Sequence, residues 1–313
     1  MGYKLAGCEV IGDLEIDQKI NEIYINNHHP KFNYCMDIRD FNKLDDLPEE
    51  LYHLDILDGS PPCTTFSMAG DREESWGKKK KFREGQVEQT LDDLSFVFIE
   101  TVNKLRPKCV IMENVEGLLI GAAWSYVQKI YKELNEVGYD VKHYLCKGEK
   151  MGVPQTRHRV FVIAFRSDLH FNFDKLDMFF NYEPITYGEI KEGDLFPINN
   201  SSKYYPIILK AINSDKSIAD TRIRMGEKGS AFQTYYIRDN QVLPTIRTRP
   251  DLIDIQELSY ASIETLRNAQ TFPMDYEFGT WNKSNVGYIC GMSVPPVMIK
   301  RIVERIIKTG VFE

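Results

Sequence analysis

The sequence predicts an α/β chain built on a doubly wound, mostly parallel sheet, with a smaller irregular region set into its second half. Three observations carry this reading. Short β-like apolar runs alternate with helical segments from the N-terminus to about residue 166. That regularity fails from about 167 to 243 and returns towards the C-terminus. Finally, Glu15, Asp37, Cys63 and Glu113 each fall at or just past the end of a predicted strand. In open parallel sheets, that rim is where ligands bind.

In chain order, VIGDLEI, NYCMDI, LDILDG, CVIMENV, VKHYLC and VFVIAF read as strands, from their β-branched and apolar content and turn-like flanks. Between them, DQKINEIYINN, TLDDLSFVFIETVNKL and WSYVQKIYKELNEVG have helical spacing. Leu91, Leu94, Phe98, Val102 and Leu105 share one face of the middle helix. Residues 167–243 are aromatic, polar and rich in turns, without a strong period. SIETLRNAQTFP and PPVMIKRIVERIIKTG then restore helical periodicity. The expected division is 1–166, 167–243 and 244–313, with the final helix returning to the first part.

The 313 residues are 42% hydrophobic, enough for a large core, and no uninterrupted apolar run reaches membrane-span length. No basic-then-apolar leader pattern opens the sequence, and six scattered cysteines match neither a disulfide framework nor a zinc site. The expected compartment is a reducing cytoplasm, with no metal and no membrane partner. A net charge of −7 argues mildly against a nucleic-acid binder. Basic residues nevertheless cluster at Lys78–Lys81 and Arg83, and again through Arg222, Arg224, Lys228, Arg238, Arg247 and Arg249. On charge alone, the lysine run reads as a solvated loop.

Three stretches could carry chemistry. In LDILDGSPPCTTFSMAG, Pro61 and Pro62 restrain the backbone just before Cys63, so a thiol is presented at a loop mouth. The alternative is a buried structural cysteine. In CVIMENVEGLL, Glu113 follows an apolar run, where a half-enclosed carboxylate can hold or donate a proton, and Asn114 can orient it. The alternative is a helix start with Asn114 as its cap. In GVPQTRHRVFVIAF, Arg157 and Arg159 lie two apart at a strand entrance, so both guanidinium groups could face one ligand. The alternative is a pair of surface arginines.

Taken together and in order, SPPC, ENV and QTRHR resemble the core motifs of the cytosine-C5 DNA methyltransferases. LPTIRTR, SIETLRNAQTFPMDYEF and VGYICGMSVPPVMIKRIVERI resemble that family's late motifs, so the likeness spans nearly the whole chain outside about 167–243. The resemblance implies a methyltransferase fold using S-adenosylmethionine, with double-stranded DNA as substrate and base flipping as the route to it. Cys63 would attack cytosine C6, Glu113 would engage N3 and the exocyclic amine, Arg159 would hold O2, and Arg157 would support the site. Glu15 would bind ribose hydroxyls, Ile16 would pack on adenine, and Asp37 with Ile38 would meet the adenine edge. Pro62, Leu91 and Ser293 resemble further cofactor contacts. Residues 64–85 would form a closing lid, bringing the lysines near phosphates, and 167–243 would recognise the target.

Two features depart from the family pattern. A strand and an FxGxGG-type turn normally precede the helix matched by MGYKLAGCEV, and no such motif occurs in the sequence. The expectation is a truncation or a strand supplied by another chain. Met292 stands where the family usually has asparagine. A restriction–modification role would add a cognate endonuclease as partner. The alternatives are a tRNA cytosine-C5 methyltransferase, a non-catalytic nucleic-acid-binding remnant and, last, a cysteine hydrolase, since no histidine pairs recognisably with Cys63.

Overall fold

The computed structural model describes residues 1–61, 94–121 and 123–313. Cys63, Pro62, Leu91, the lid interval 64–85 and its lysine cluster therefore lie outside the described residues. The chain divides into two compact units. One comprises residues 9–146, 158–179 and 302–313; the other comprises 1–8, 147–157 and 180–301.

The first unit holds the predicted alternation. Strand β1 (Gly12–Leu14) leads through helix α1 (Gln18–His28) to β2 (Phe32–Tyr34), and the two strands pair in parallel. Asp17 starts α1 by accepting the Lys19 and Ile20 amides, satisfying donors that the helix itself cannot. Strand β3 (Ile56–Gly59) pairs in parallel with β4 (Cys109–Val115), connected through helix α2 (Leu94–Leu105). Helix α3 (Ala123–Glu136) and strand β5 (Tyr139–Lys147) follow, and β6 (His158–Arg166) completes the order β3–β4–β6–β5.

The four-stranded sheet is mixed, because β6 runs antiparallel to β4 while β3 runs parallel to it. A parallel return needs a crossover of a dozen or more residues, usually helical, and only a 3-10 turn and a two-residue strand lie between β5 and β6. Leu94, Phe98, Val102 and Leu105 of α2 are all buried, as the periodicity predicts. Phe98 and Val102 are joined in one core by Tyr126, Val127, Ile130 and Leu134 of α3 and by Val110, Met112, Val162 and Ala164 from the sheet, whereas Leu105 packs with Phe41 and Leu51.

In the second unit, a four-stranded sheet has the order Phe196–Pro197, Ser259–Tyr260, Leu252–Asp254, Tyr235–Ile237. Its core includes Ile198, Ile208, Ile218, Tyr236 and Ile253. The irregular interval thus shares its sheet with strands beyond residue 243, whereas residues 167–179 belong to the first unit. The stretch Lys283–Ile307 is long and apolar enough to cross a membrane by length and composition, but 56% of its most apolar window is buried inside the protein. It is also broken at Ser293–Pro295 into helices Lys283–Met292 and Pro296–Ile307.

Candidate active site

The first unit places Glu113 and Arg159 together. The register pairs Glu113 with Phe161 and Val115 with Arg159, so Glu113 and Arg159 are diagonal neighbours on one face of an antiparallel ladder. Their side chains meet at 2.7 Å from Arg159 Nε to Glu113 Oε1, and each is only 13–14% exposed. Arg159 Nη1 also donates to the His158 carbonyl at 2.7 Å. Glu113 lies inside β4 and not beyond it, since the strand continues to Val115.

The same unit ties this pair to Pro61, two residues before Cys63 in the sequence. Strand β3 is in register with β4 from Ile56–Cys109 to Gly59–Met112. Continued by two residues, that register brings Pro61 alongside Asn114, and Asn114 Nδ2 donates to the Pro61 carbonyl at 3.4 Å. Asn114 is buried, and its Oδ1 accepts the Val115 amide at 2.8 Å. Asn114 is therefore a strand residue and a tether, not a helix cap. Gly59 allows this close packing: a Cβ there would sit 2.5 Å from Cε2 of Phe98.

Arg157 has a different environment. It is 2% exposed, with Nη1 donating to the Ile246 carbonyl and Nη2 to the Gly291 carbonyl, each at 3.0 Å. The two-residue spacing does not put it beside Arg159 on one ligand. Its amide bonds back to the Gln155 carbonyl at 2.8 Å, a γ-turn-like contact that interrupts strand alternation. Gly291 is needed for this arrangement, because a Cβ there would lie 2.2 Å from the Thr248 nitrogen.

The cofactor candidates of the first unit share one rim. Glu15 directly follows β1, and its amide donates to the Tyr34 carbonyl at the end of β2. Burial pushes its carboxyl above the ordinary value, against the lowering effect of the Asp17 amide, which it accepts at 2.8 Å. Asp37 caps the short helix Ile38–Phe41 through the Arg39 amide at 2.8 Å and pairs with the Arg39 guanidinium at 3.3 Å. Ile16 and Ile38 are half-buried beside them. Two strand-end carboxylates with adjacent apolar side chains fit a ribose and an adenine ring. In the second unit, Ser293 ends the helix Lys283–Met292, and Met292 is half exposed.

Burial pushes the Cys109 thiol far up and raises those of Cys146 and Cys290 to about 12. Burial, followed by the neighbouring Glu15 and Asp17 carboxylates, also raises Cys35. The three buried thiols are thereby kept from ionising. Among the described residues, no group of three His, Cys, Asp or Glu side chains could hold a metal ion.

Sequence reasoning missed Gln155 and Gln270, both fully buried, and the His158–Glu116 contact at 3.1 Å. Both glutamines stand inside motifs already singled out, but nothing in their spacing shows that they meet.

The C-5 cytosine-specific DNA methylase family matches residues 1–308, and the chain belongs to that family. Type II methyltransferase M.FnuDI of Fusobacterium nucleatum is 34% identical over 170 residues, 54% of this chain and 44% of the relative. M.NgoPII of Neisseria gonorrhoeae is 32% identical over 55% of this chain and 46% of the relative, so the aligned part spans less than half the length of these relatives. Type II methyltransferase M.Bsp6I of Bacillus sp. is 24% identical over 99% of this chain and 95% of its own length. Among solved structures, a Spodoptera frugiperda DNMT2 mutant superposes with a TM-score of 0.65 at 16% identity, covering 100% of this chain and 95% of that one. S. pombe Dnmt2 gives 0.59 at 15% identity, over 99% and 93%. The fold is that of this methyltransferase class.

Proposed function

We propose that the protein transfers a methyl group from S-adenosylmethionine to C5 of a flipped-out cytosine in double-stranded DNA, as the methylase of a restriction–modification pair. The observation that carries this reading is the Glu113–Arg159 pair, with the adjacent Asn114 tied to Pro61, two residues before Cys63 in the sequence. The pair offers an acceptor and a planar donor to the one ring that presents an exocyclic amine, N3 and O2 in a row.

Cytosine C5 becomes nucleophilic only after a thiolate adds at C6. The Cys63 sulfur would form the S–C6 bond, moving the C5=C6 electrons towards C5 and the N3–O2 side of the ring. Glu113 would neutralise the N3 edge by proton sharing, and Arg159 would stabilise charge at O2 from a site already largely dry. When bound, S-adenosylmethionine supplies an electrophilic methyl group. Loss of the C5 proton would then return the electron pair to the ring and break the S–C6 bond, freeing the thiolate. Glu15 would take the ribose hydroxyls, with Ile16, Asp37 and Ile38 around the adenine. Pro62, Leu91 and Ser293 carry over as further cofactor contacts on the strength of the resemblance. The 167–243 interval would select the target bases, and a cytoplasmic, nucleoid-associated location accords with such a substrate.

The test is incubation with S-adenosylmethionine and duplexes carrying 5-fluorocytosine, which blocks release at the proton-loss step. A denaturation-resistant adduct is expected with the wild type and none with Cys63→Ala. No adduct on any duplex, with cofactor binding verified, would refute the reading. Labelled transfer to tRNA and not to DNA would move the substrate to RNA.

A further inference from the structure

A closed ring of hydrogen bonds runs through the second unit. Gln155 Nε2 donates to the Ala269 carbonyl and to Gln270 Oε1, both at 2.7 Å, while its Oε1 accepts the Ile246 amide at 3.1 Å. Gln270 Nε2 donates onward to the Ser293 carbonyl at 2.7 Å. The return path is Arg157, which joins the Ile246 carbonyl to the Gly291 carbonyl, two residues before Ser293.

Backbone groups fix the sense of this ring. The Ala269 carbonyl can only accept and the Ile246 amide can only donate, which sets the two ends of the Gln155 amide. Gln270 must then turn its oxygen to Gln155 and its nitrogen to Ser293. Both glutamines are 0% exposed, so a lost bond has no water to replace it. Gln270 occupies the C-cap of the helix Ile263–Ala269, so its own backbone is anchored independently.

We propose that Gln270 is a positioning residue: it sets the Ser293 main chain against the Gln155–Arg157 segment, and through Ser293 it governs affinity for the S-adenosyl nucleoside. This rests on Ser293 being a cofactor contact. Gln270 touches neither the reacting atoms nor the ligand. Its loss leaves the Ser293 carbonyl and one Gln155 donor unpaired, while the Ser293 amide and hydroxyl keep the Ile289 carbonyl and the Val297 amide keeps Thr271 Oγ1.

The experiment is calorimetric titration of S-adenosylhomocysteine into the wild-type chain and into Gln270→Met, which keeps the volume and removes both bonds. Thermal melting of each protein is followed in parallel. A loss of affinity of about tenfold or more is expected in folded Gln270→Met, with cofactor-free affinity for duplex DNA changed less than about twofold. In turnover, the KM for S-adenosylmethionine should rise while kcat at saturation stays within about twofold, a split that general loosening of the fold would not give. Wild-type affinity in folded Gln270→Met overturns the proposal. Should that variant not fold, Gln270→Leu, of similar size and without polar atoms, removes the same two bonds. The same loss is then expected, and unchanged affinity overturns the proposal. A wild-type chain that binds no S-adenosylhomocysteine overturns the cofactor reading itself, and this inference with it.

Discussion

Arg159 donates through a planar fork, and that geometry matters where it meets Glu113 in a site 13–14% exposed. Arg159→Ala should lower kcat about 10²–10³-fold, the usual cost of removing one donor from a developing negative charge. Arg159→Lys should restore little of it, because an ammonium cannot replace the geometry of the guanidinium. Single-turnover methyl transfer measures both. The types of these two residues were legible in the sequence, but their meeting was not. It depends on the antiparallel register of β4 and β6, which pairs residues 44 or more positions apart. Arg157 shows the same limit from the other side. Its spacing to Arg159 promised a shared ligand, and a backbone turn directed it instead to two carbonyls.

Among the elements, strands were more legible than their directions. CVIMENV is strand β4 residue for residue, and the α2 and α3 stripes are buried as their periodicity requires. The reversal of β6 follows from a short connection whose conformation leaves no hydrophobic signature. Two predictions belong here. Gly291→Ala drives a Cβ to 2.2 Å from the Thr248 nitrogen, a backbone atom that has nowhere to go. The change should destabilise the protein by roughly 1–3 kcal/mol or more, read from denaturant unfolding, and weaken cofactor binding through the displaced Ser293 turn. The second concerns Asp215, buried beside helix Ile218–Arg224. The Arg224 guanidinium and the Thr221 hydroxyl hold its carboxyl down at about 2, against burial. A carboxyl lower in the folded state than in the unfolded one stabilises above the unfolded value, and that stability is lost as pH falls through the folded value. Stability of the second unit should therefore drop between about pH 4 and pH 2, and Asp215→Asn should flatten that part of the pH profile.

For the whole molecule, a net charge of −7 and the proposed duplex substrate are reconciled only if positive charge is concentrated where phosphates lie. Affinity for DNA should then fall steeply with salt, by about 0.9 log units per log unit of salt for each phosphate contacted. Fluorescence anisotropy across a salt series tests this, and a flat response would exclude a phosphate-tracking surface. The two-unit architecture was only partly visible in advance. Loss of period marked the irregular interval, but its sheet recruits Leu252–Asp254 and Ser259–Tyr260 from sequence that reads as part of the late motifs. Short strands of two or three residues carry too little pattern to be assigned without their partners.

The buried Arg157 has a thermodynamic corollary. Its acceptors are two backbone carbonyls and no carboxylate, so this fastening is blind to acidity. Asp215 is not. Acid should unpick the second unit from its Asp215 corner while the Ile246–Gly291 fastening still holds, and amide exchange at low pH would record that sequence of events.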